Sequence, residues 1–264
     1  MVRPLSQLTP KRLKNIRLVC FDVDGVTIKK GTFIREKETR QTETLTIRTQ
    51  LLEERIKQKL LELKKYYFIA INSGRSTIYL KDVFNELLWD NVALIGEVGI
   101  FSLLDGQVVQ HEKFTKATLE KMRNIRSALE KYAAKTRLAE AFEQKQFLIT
   151  LHTRFEDNNV YDIVKRVDPE GEFRAIWSGE AFDILPKRLN KGVALANLCR
   201  HLKISPRQTM AIGNGRNDRD MVETAGIGVT TEPKVLEADY YTTGKSHLGG
   251  EELVDKLLEL WTEI

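Results

Sequence analysis

Three short polar clusters in this sequence could do chemistry. The first is Phe21-Asp22-Val23-Asp24-Gly25-Val26, the second Asn72-Ser73-Gly74-Arg75, and the third Gly213-Asn214-Gly215-Arg216-Asn217-Asp218. Asp22 and Asp24 set two carboxylates two residues apart, directly behind an apolar run. Their repulsion calls for a positive charge between them. A divalent cation is the economical answer, and Mg2+ prefers oxygen ligands and keeps several waters. Asp218 brings a third carboxylate, and Gly25 lets the chain turn sharply after the pair. An Asp-x-Asp-Gly can also be a plain solvent turn, but the preceding apolar run and the two downstream clusters argue against that here. Ser73-Gly74-Arg75 opens a turn into a helix, where a hydroxyl and main-chain N–H groups suit a phosphate. Alone, such a serine is more often an ordinary helix cap. Lys191-Gly192 begins a later helix. Turned into a shared crevice, its ammonium would neutralise charge on a transferring phosphoryl group; turned outward, it is a surface lysine.

The elements that must position these clusters read as an alternating pattern. Residues 17–23 are an apolar run ending in acids, which predicts a buried strand. Residues 45–63 carry Leu45, Leu52, Ile56, Leu60 and Leu63 at helical spacing. A strand at 66–71, a helix at 77–88 and a strand at 92–95 follow. The last 75 or so residues repeat the rhythm: helix 191–202, strand 209–212, helix 218–225, strand 227–229, a helical turn at 233–238, strand 240–242 and an amphipathic helix 251–261. Strands alternating with helices imply a parallel sheet covered on both faces. Ligands of such a sheet bind at the carboxyl ends of its strands, where all three clusters fall.

The middle of the chain differs. Asp105-Gly106 signals a hairpin between 101–104 and 108–109. Thr115 can cap a long helix reaching 136, followed by a strand at 147–152, a helix at 160–167 and a strand pair at 173–177 and 181–185. The expected fold class is therefore α/β, a Rossmann-like doubly wound parallel sheet interrupted by a small α+β insertion. The expected division is core 1–103, insertion 104–187 and core 188–264.

Composition bounds the rest. The 264 residues are 42% hydrophobic and 30% charged, which fits a folded globular protein rather than a disordered one. Two cysteines, Cys20 and Cys199, exclude a disulfide scaffold and a cysteine zinc site and make the cytoplasm the expected compartment. No run approaches the roughly 20 apolar residues of a membrane span. Net charge is +5, and residues 1–65 hold 16 Lys/Arg against 8 Asp/Glu. That excess suits an anionic substrate or a solvated helix face. No interleaved aromatics suggest a nucleic-acid platform. His111, His152, His201 and His247 form no metal-binding spacing.

Taken in order, Asp22-x-Asp24-Gly25, Ser73-Gly74-Arg75, Asn190-Lys191-Gly192 and Gly213-Asn214-x-x-Asn217-Asp218 resemble the motifs of the haloacid dehalogenase superfamily of phosphohydrolases. An insertion between the second and third motifs resembles the subgroup with a C2-type cap, among them the Cof-like, trehalose-phosphate and mannosyl-3-phosphoglycerate phosphatases. The short cap and Gly96-Glu97-Val98-Gly99 are most similar to the last two branches.

The resemblance implies a Mg2+-dependent phosphatase of a small phosphorylated metabolite, a sugar phosphate or sugar-acid phosphate. Asp22 would be the nucleophile, forming an aspartyl-phosphate, and Asp24 the general acid and base. Ser73, Gly74 and Lys191 would hold phosphoryl oxygens. Asp22, the Asp24 carbonyl, Asn214 and Asp218 would hold the metal, with Asn217 supporting the loop. The family usually has Asp where this chain has Asn214, so metal binding is expected to be weaker. A phosphotransferase or mutase, or a non-catalytic binding protein on the same fold, are the alternatives. Arg75 and Glu97 have two readings, a role in the site or a structural role in fixing its loops. His152, Arg154 and Glu180 are candidate cap contacts, each more readily an ordinary surface residue.

Overall fold

A computed structural model of the chain describes residues 2–31, 33–38, 43–136 and 139–263. They fall into two compact units. One comprises Met1–Lys30, Gln50–His111 and Asn190–Ile264, the other Gly31–Thr49 and Glu112–Leu189.

The first unit is built on a nine-stranded sheet. Its centre is the strand Leu18–Phe21, paired in parallel with Phe68–Asn72 on one side and Thr209–Gly213 on the other. Val92–Gly96 continues the parallel order beyond Phe68–Asn72. Ile227–Thr230, Tyr240–Tyr241 and Arg3–Pro4 continue it beyond Thr209–Gly213. All four residues of Leu18–Phe21 are buried, as expected of a parallel strand covered on both faces. The alternation along the strands divides the side chains between two faces. Val19, Phe21, Ile69, Ile71, Met210 and Ile212 join the cluster with Leu60, Leu253 and Leu257, from the helices Glu54–Leu63 and His247–Trp261. The opposite face carries the smaller Cys20, Ala70, Ala93 and Ala211 against Ala194, Leu195 and Leu198 of the helix Lys191–His201. Small side chains there let that helix lie close to the sheet, which brings Lys191 to the strand ends. Each large aliphatic residue buried this way contributes about 1.5–3 kcal/mol.

The second unit is a four-stranded antiparallel sheet in the order Phe173–Trp177, Ala181–Pro186, Ile149–Thr153, Ala139–Glu143. Ile149, Leu151, Phe173, Phe182 and Ile184 pack against Met122, Ile125 and Leu129 of the helix Lys116–Thr136 and Val160, Ile163 and Val164 of Asn158–Val167. Asp157 caps the shorter helix by accepting from the Asn159 N–H.

The expected pattern is present with three differences. Residues 45–63 are not one helix. Glu43–Arg48 is a strand, paired antiparallel with Phe33–Glu38, and the helix is confined to Glu54–Leu63. The β-branched Thr44, Thr46 and Ile47 favour strand, and this outweighs the helical spacing of Leu45. The hairpin at Asp105-Gly106 extends the large sheet, because Phe101–Leu104 pairs antiparallel with Val92–Gly96. The first unit therefore runs to His111, beyond the expected boundary at 103, and residues 31–49 group with the second. The helical turn expected at 233–238 is a single turn at the start of that span, where the Leu236 N–H donates to the Glu232 carbonyl at 3.0 Å, and no longer helix follows.

Candidate active site

Asp22 follows directly on the central strand, and its N–H donates to the Ile212 carbonyl at 3.0 Å. The chain then turns at Gly25, whose φ of +82° lies in the left-handed region. A Cβ there would sit 2.2 Å from Asn214 Nδ2. Thr27, unremarked in the sequence, donates its hydroxyl to the Asp22 and Val23 carbonyls at 3.2 and 3.3 Å and fixes the turn. On the neighbouring strand, Gly213 lets the Asp218 carboxyl fold back on the chain, since a Cβ at 213 would lie 2.4 Å from the Asp218 Cβ. Asp218 Oδ2 accepts the main-chain N–H groups of Asn214 and Gly215 at 2.9 and 3.0 Å.

Lys191 joins these two carboxylates. Its Nζ donates to Asp22 Oδ1 at 2.5 Å and Asp218 Oδ1 at 2.6 Å, and all three residues are buried. Two anions thus share one cation out of water. Burial, with the Asp218 charge second, pushes the Asp22 carboxyl up from its usual 3.8 to about 7, against the pull of Lys191. Burial opposes the Lys191 charge, yet the two carboxylates outweigh it and hold the ammonium above its ordinary range.

Asp24 has its own cation. Arg75 grips it with two hydrogen bonds, Nε to Oδ2 at 3.0 Å and a terminal nitrogen to Oδ1 at 2.9 Å. Sequence reasoning left the role of Arg75 open, since nothing local shows which carboxylate a guanidinium 51 residues away will meet. Ser73 directly follows the strand Phe68–Asn72, and its Oγ accepts the Arg75 N–H at 3.2 Å across Gly74. Glu97 and Val98 brace this loop from the next strand, their N–H groups donating to the Arg75 and Ser73 carbonyls at 2.8 and 3.0 Å. Both residues take positive φ.

Asp22, Asp218 and Lys191 are therefore in direct contact, with Asp24, Ser73 and Gly74 on adjoining loops. Asn214 donates its Nδ2 to the Asp24 carbonyl at 2.8 Å. Asn217 lies over Gly215, where a Cβ would meet its Oδ1 at 2.5 Å. In the second unit, His152 is buried rather than a surface residue, with its Nε2 2.9 Å from Glu143 Oε2. Arg154 is exposed and pairs with Glu140. Glu180 accepts the Thr153 N–H through its carbonyl.

Among the described residues, no group of three or more His, Cys, Asp or Glu side chains is arranged to hold a metal. A mixed donor set nevertheless suits a hard cation. The Asp22 and Asp218 carboxylates, the Asp24 carbonyl and the Asn214 amide are all oxygen donors once that amide is turned over. Lys191 balances only one of the two carboxylates it bridges, and Arg75 is occupied by Asp24. The excess negative charge fits Mg2+.

Residues 127–247 match a family of haloacid dehalogenase-like hydrolases, a span that takes in Lys191, Asn214 and Asp218. The fold agrees. The C-terminal domain of C. albicans trehalose-6-phosphate phosphatase superposes with a TM-score of 0.70 over 98% of both chains, at 18% identity. The chain is 26% identical over 259 residues to a phosphoglycolate phosphatase of Staphylothermus marinus, covering 92% of this chain and 98% of that one. It is 33% identical over 93 residues to a phosphoglycolate phosphatase of Methanopyrus kandleri, an alignment covering 34% of this chain and only 40% of that relative.

Proposed function

We propose that this protein is a Mg2+-dependent phosphohydrolase of a small phosphorylated metabolite, a sugar phosphate or sugar-acid phosphate, working through an aspartyl-phosphate on Asp22. The observation that carries this reading is the buried pair Asp22 and Asp218 on one ammonium, in the loops that follow neighbouring strands, with Ser73 directly after the next strand. A carboxylate this poorly compensated is a nucleophile held in place, at a cost to stability.

Asp22 attacks phosphorus through a carboxylate oxygen, and the phosphorus–oxygen bond to the leaving alcohol breaks. Lys191 commits two of its three N–H donors to Asp22 and Asp218, and the third serves a phosphoryl oxygen. The Ser73 hydroxyl and the Gly74 N–H serve the other phosphoryl oxygens. Asp24 gives its proton to the departing alkoxide and then takes one from the water that hydrolyses the acyl phosphate. Arg75 holds that carboxyl in place while leaving each oxygen a lone pair for the proton. Bound at Asp22, Asp24, Asn214 and Asp218, Mg2+ would screen the repulsion between the attacking and attacked anions.

Full-length similarity to a phosphoglycolate phosphatase and fold similarity to a trehalose-6-phosphate phosphatase support a small phosphorylated substrate. Hydrolysis of p-nitrophenyl phosphate with and without Mg2+, followed by a panel of phosphorylated sugars and acids, tests the reading. Free phosphate released only with Mg2+, and lost in Asp22→Asn, is the expected result. Phosphate passed to an organic acceptor would make the protein a transferase. Background rates in every condition would favour a non-catalytic binding protein, the reading that the uncharged Asn214 supports.

A further inference from the structure

Asn72 ends the strand Phe68–Asn72, directly before Ser73, and no solvent reaches it (0% exposed). Its amide crosses to the helix Lys191–His201, where Nδ2 donates to the Lys191 main-chain carbonyl at 2.9 Å. The other Nδ2 proton points to Met221 Sδ at 3.5 Å, a weak acceptor that also faces the Cys20 thiol. Asn72 Oδ1 is buried with no hydrogen-bond partner among the described residues. An apolar side chain of the same shape would suit such surroundings better, because an unpaired buried acceptor costs stability. The residue therefore keeps one polar contact at the expense of an orphaned oxygen, and that contact is to Lys191.

We propose that Asn72 is a positioning residue for Lys191, its buried amide pinning the first turn of the Lys191–His201 helix to the strand that carries Ser73. Asn190 caps that helix within the chain, its side chain accepting the Val193 N–H at 2.7 Å. The Asn72 amide adds a contact from the sheet to the same turn, and so fixes the distance between two groups assigned to the same phosphoryl group. The inference rests on the role given to Lys191 under the proposed function. No short sequence motif announces it, since the two residues stand 119 positions apart.

Asn72→Leu and Asn72→Ala both remove the donor, and they change side-chain volume in opposite directions. With p-nitrophenyl phosphate and Mg2+, both variants are expected to lose kcat by about 10- to 100-fold, the scale of a small misplacement of a catalytic group. KM should stay within about threefold, and Asn72→Leu should melt no lower than wild type because the orphaned oxygen has gone. Wild-type kcat in either folded variant overturns the proposal, as does failure of both to fold, which would make Asn72 a requirement of the fold itself. Lys191→Ala assayed alongside separates the two levels. If it retains kcat, the phosphate-holding role of Lys191 falls and the Asn72 inference with it. If it is inactive while both Asn72 variants are unimpaired, only the Asn72 inference falls.

Discussion

Replacing Asp22 by Asn should abolish turnover and at the same time make the protein more stable. Asp22 is 5% exposed and shares Lys191 with Asp218. Burial and the Asp218 charge raise it from 3.8 to about 7, so the folded protein holds this proton more tightly than the unfolded chain does. Below the unfolded value both states are protonated and nothing is lost. As pH rises through 3.8 the unfolded chain ionises first, and stability falls until the folded carboxyl also ionises near 7. The full penalty above that pH is roughly 4 kcal/mol. Asn never ionises and escapes it, but its oxygen accepts from Lys191 more weakly, a loss of about 1–3 kcal/mol. The net gain is about 2 kcal/mol at pH 8, or about 4–8 °C in Tm for a chain of this size. The assay is thermal unfolding of both proteins in EDTA from pH 4 to pH 8. The variant should gain on the wild type from pH 4 to about 7 and keep that lead to pH 8. An Asp22→Asn protein that melts lower than wild type at pH 8, or a gap independent of pH, would mean that the Asp22 charge does not destabilise the fold.

Other outcomes follow from the same geometry. Lys191→Met leaves Asp22 and Asp218 buried without their cation and should cost about 3–5 kcal/mol by urea unfolding in EDTA; added Mg2+ should restore part of that, and an unchanged midpoint would count against the shared ammonium. Arg75→Ala frees the Asp24 carboxylate and should slow an alkyl phosphate about tenfold or more, with a smaller loss for p-nitrophenyl phosphate, whose leaving group needs no proton; equal losses on both would remove the orienting role. Asn214→Asp adds a charged donor beside the Asp24 carbonyl and should tighten Mg2+ by about tenfold in calorimetric titration; unchanged affinity would take Asn214 out of the ligand set.

The three polar clusters were legible because each follows an apolar run short enough to be a buried strand, and a parallel sheet brings strand ends together. Leu18–Phe21, Phe68–Asn72 and Thr209–Gly213 are adjacent, so Asp22, Ser73 and Asp218 converge. Lys191 was legible as a residue type at a helix start, but its choice of Asp22 and Asp218 over solvent depends on the small face of Cys20, Ala70 and Ala211. The partners of Arg75 and Asn72 were not legible, because side-chain contacts across 51 and 119 residues leave no periodicity in the sequence. Residues 43–48 misled for a local reason: Leu45 continues a helical spacing, while its neighbours Thr44, Thr46 and Ile47 prefer an extended chain.

The central claim is that Asp22 takes up a phosphoryl group. Rapid acid quench of the enzyme during turnover of a phosphate monoester with Mg2+, followed by peptide mass analysis, tests it most directly. One added phosphoryl group is expected on the peptide containing Asp22, removed by hydroxylamine as an acyl phosphate and absent in Asp22→Asn. Robust release of phosphate with no such adduct, or an adduct that persists in Asp22→Asn, would contradict it.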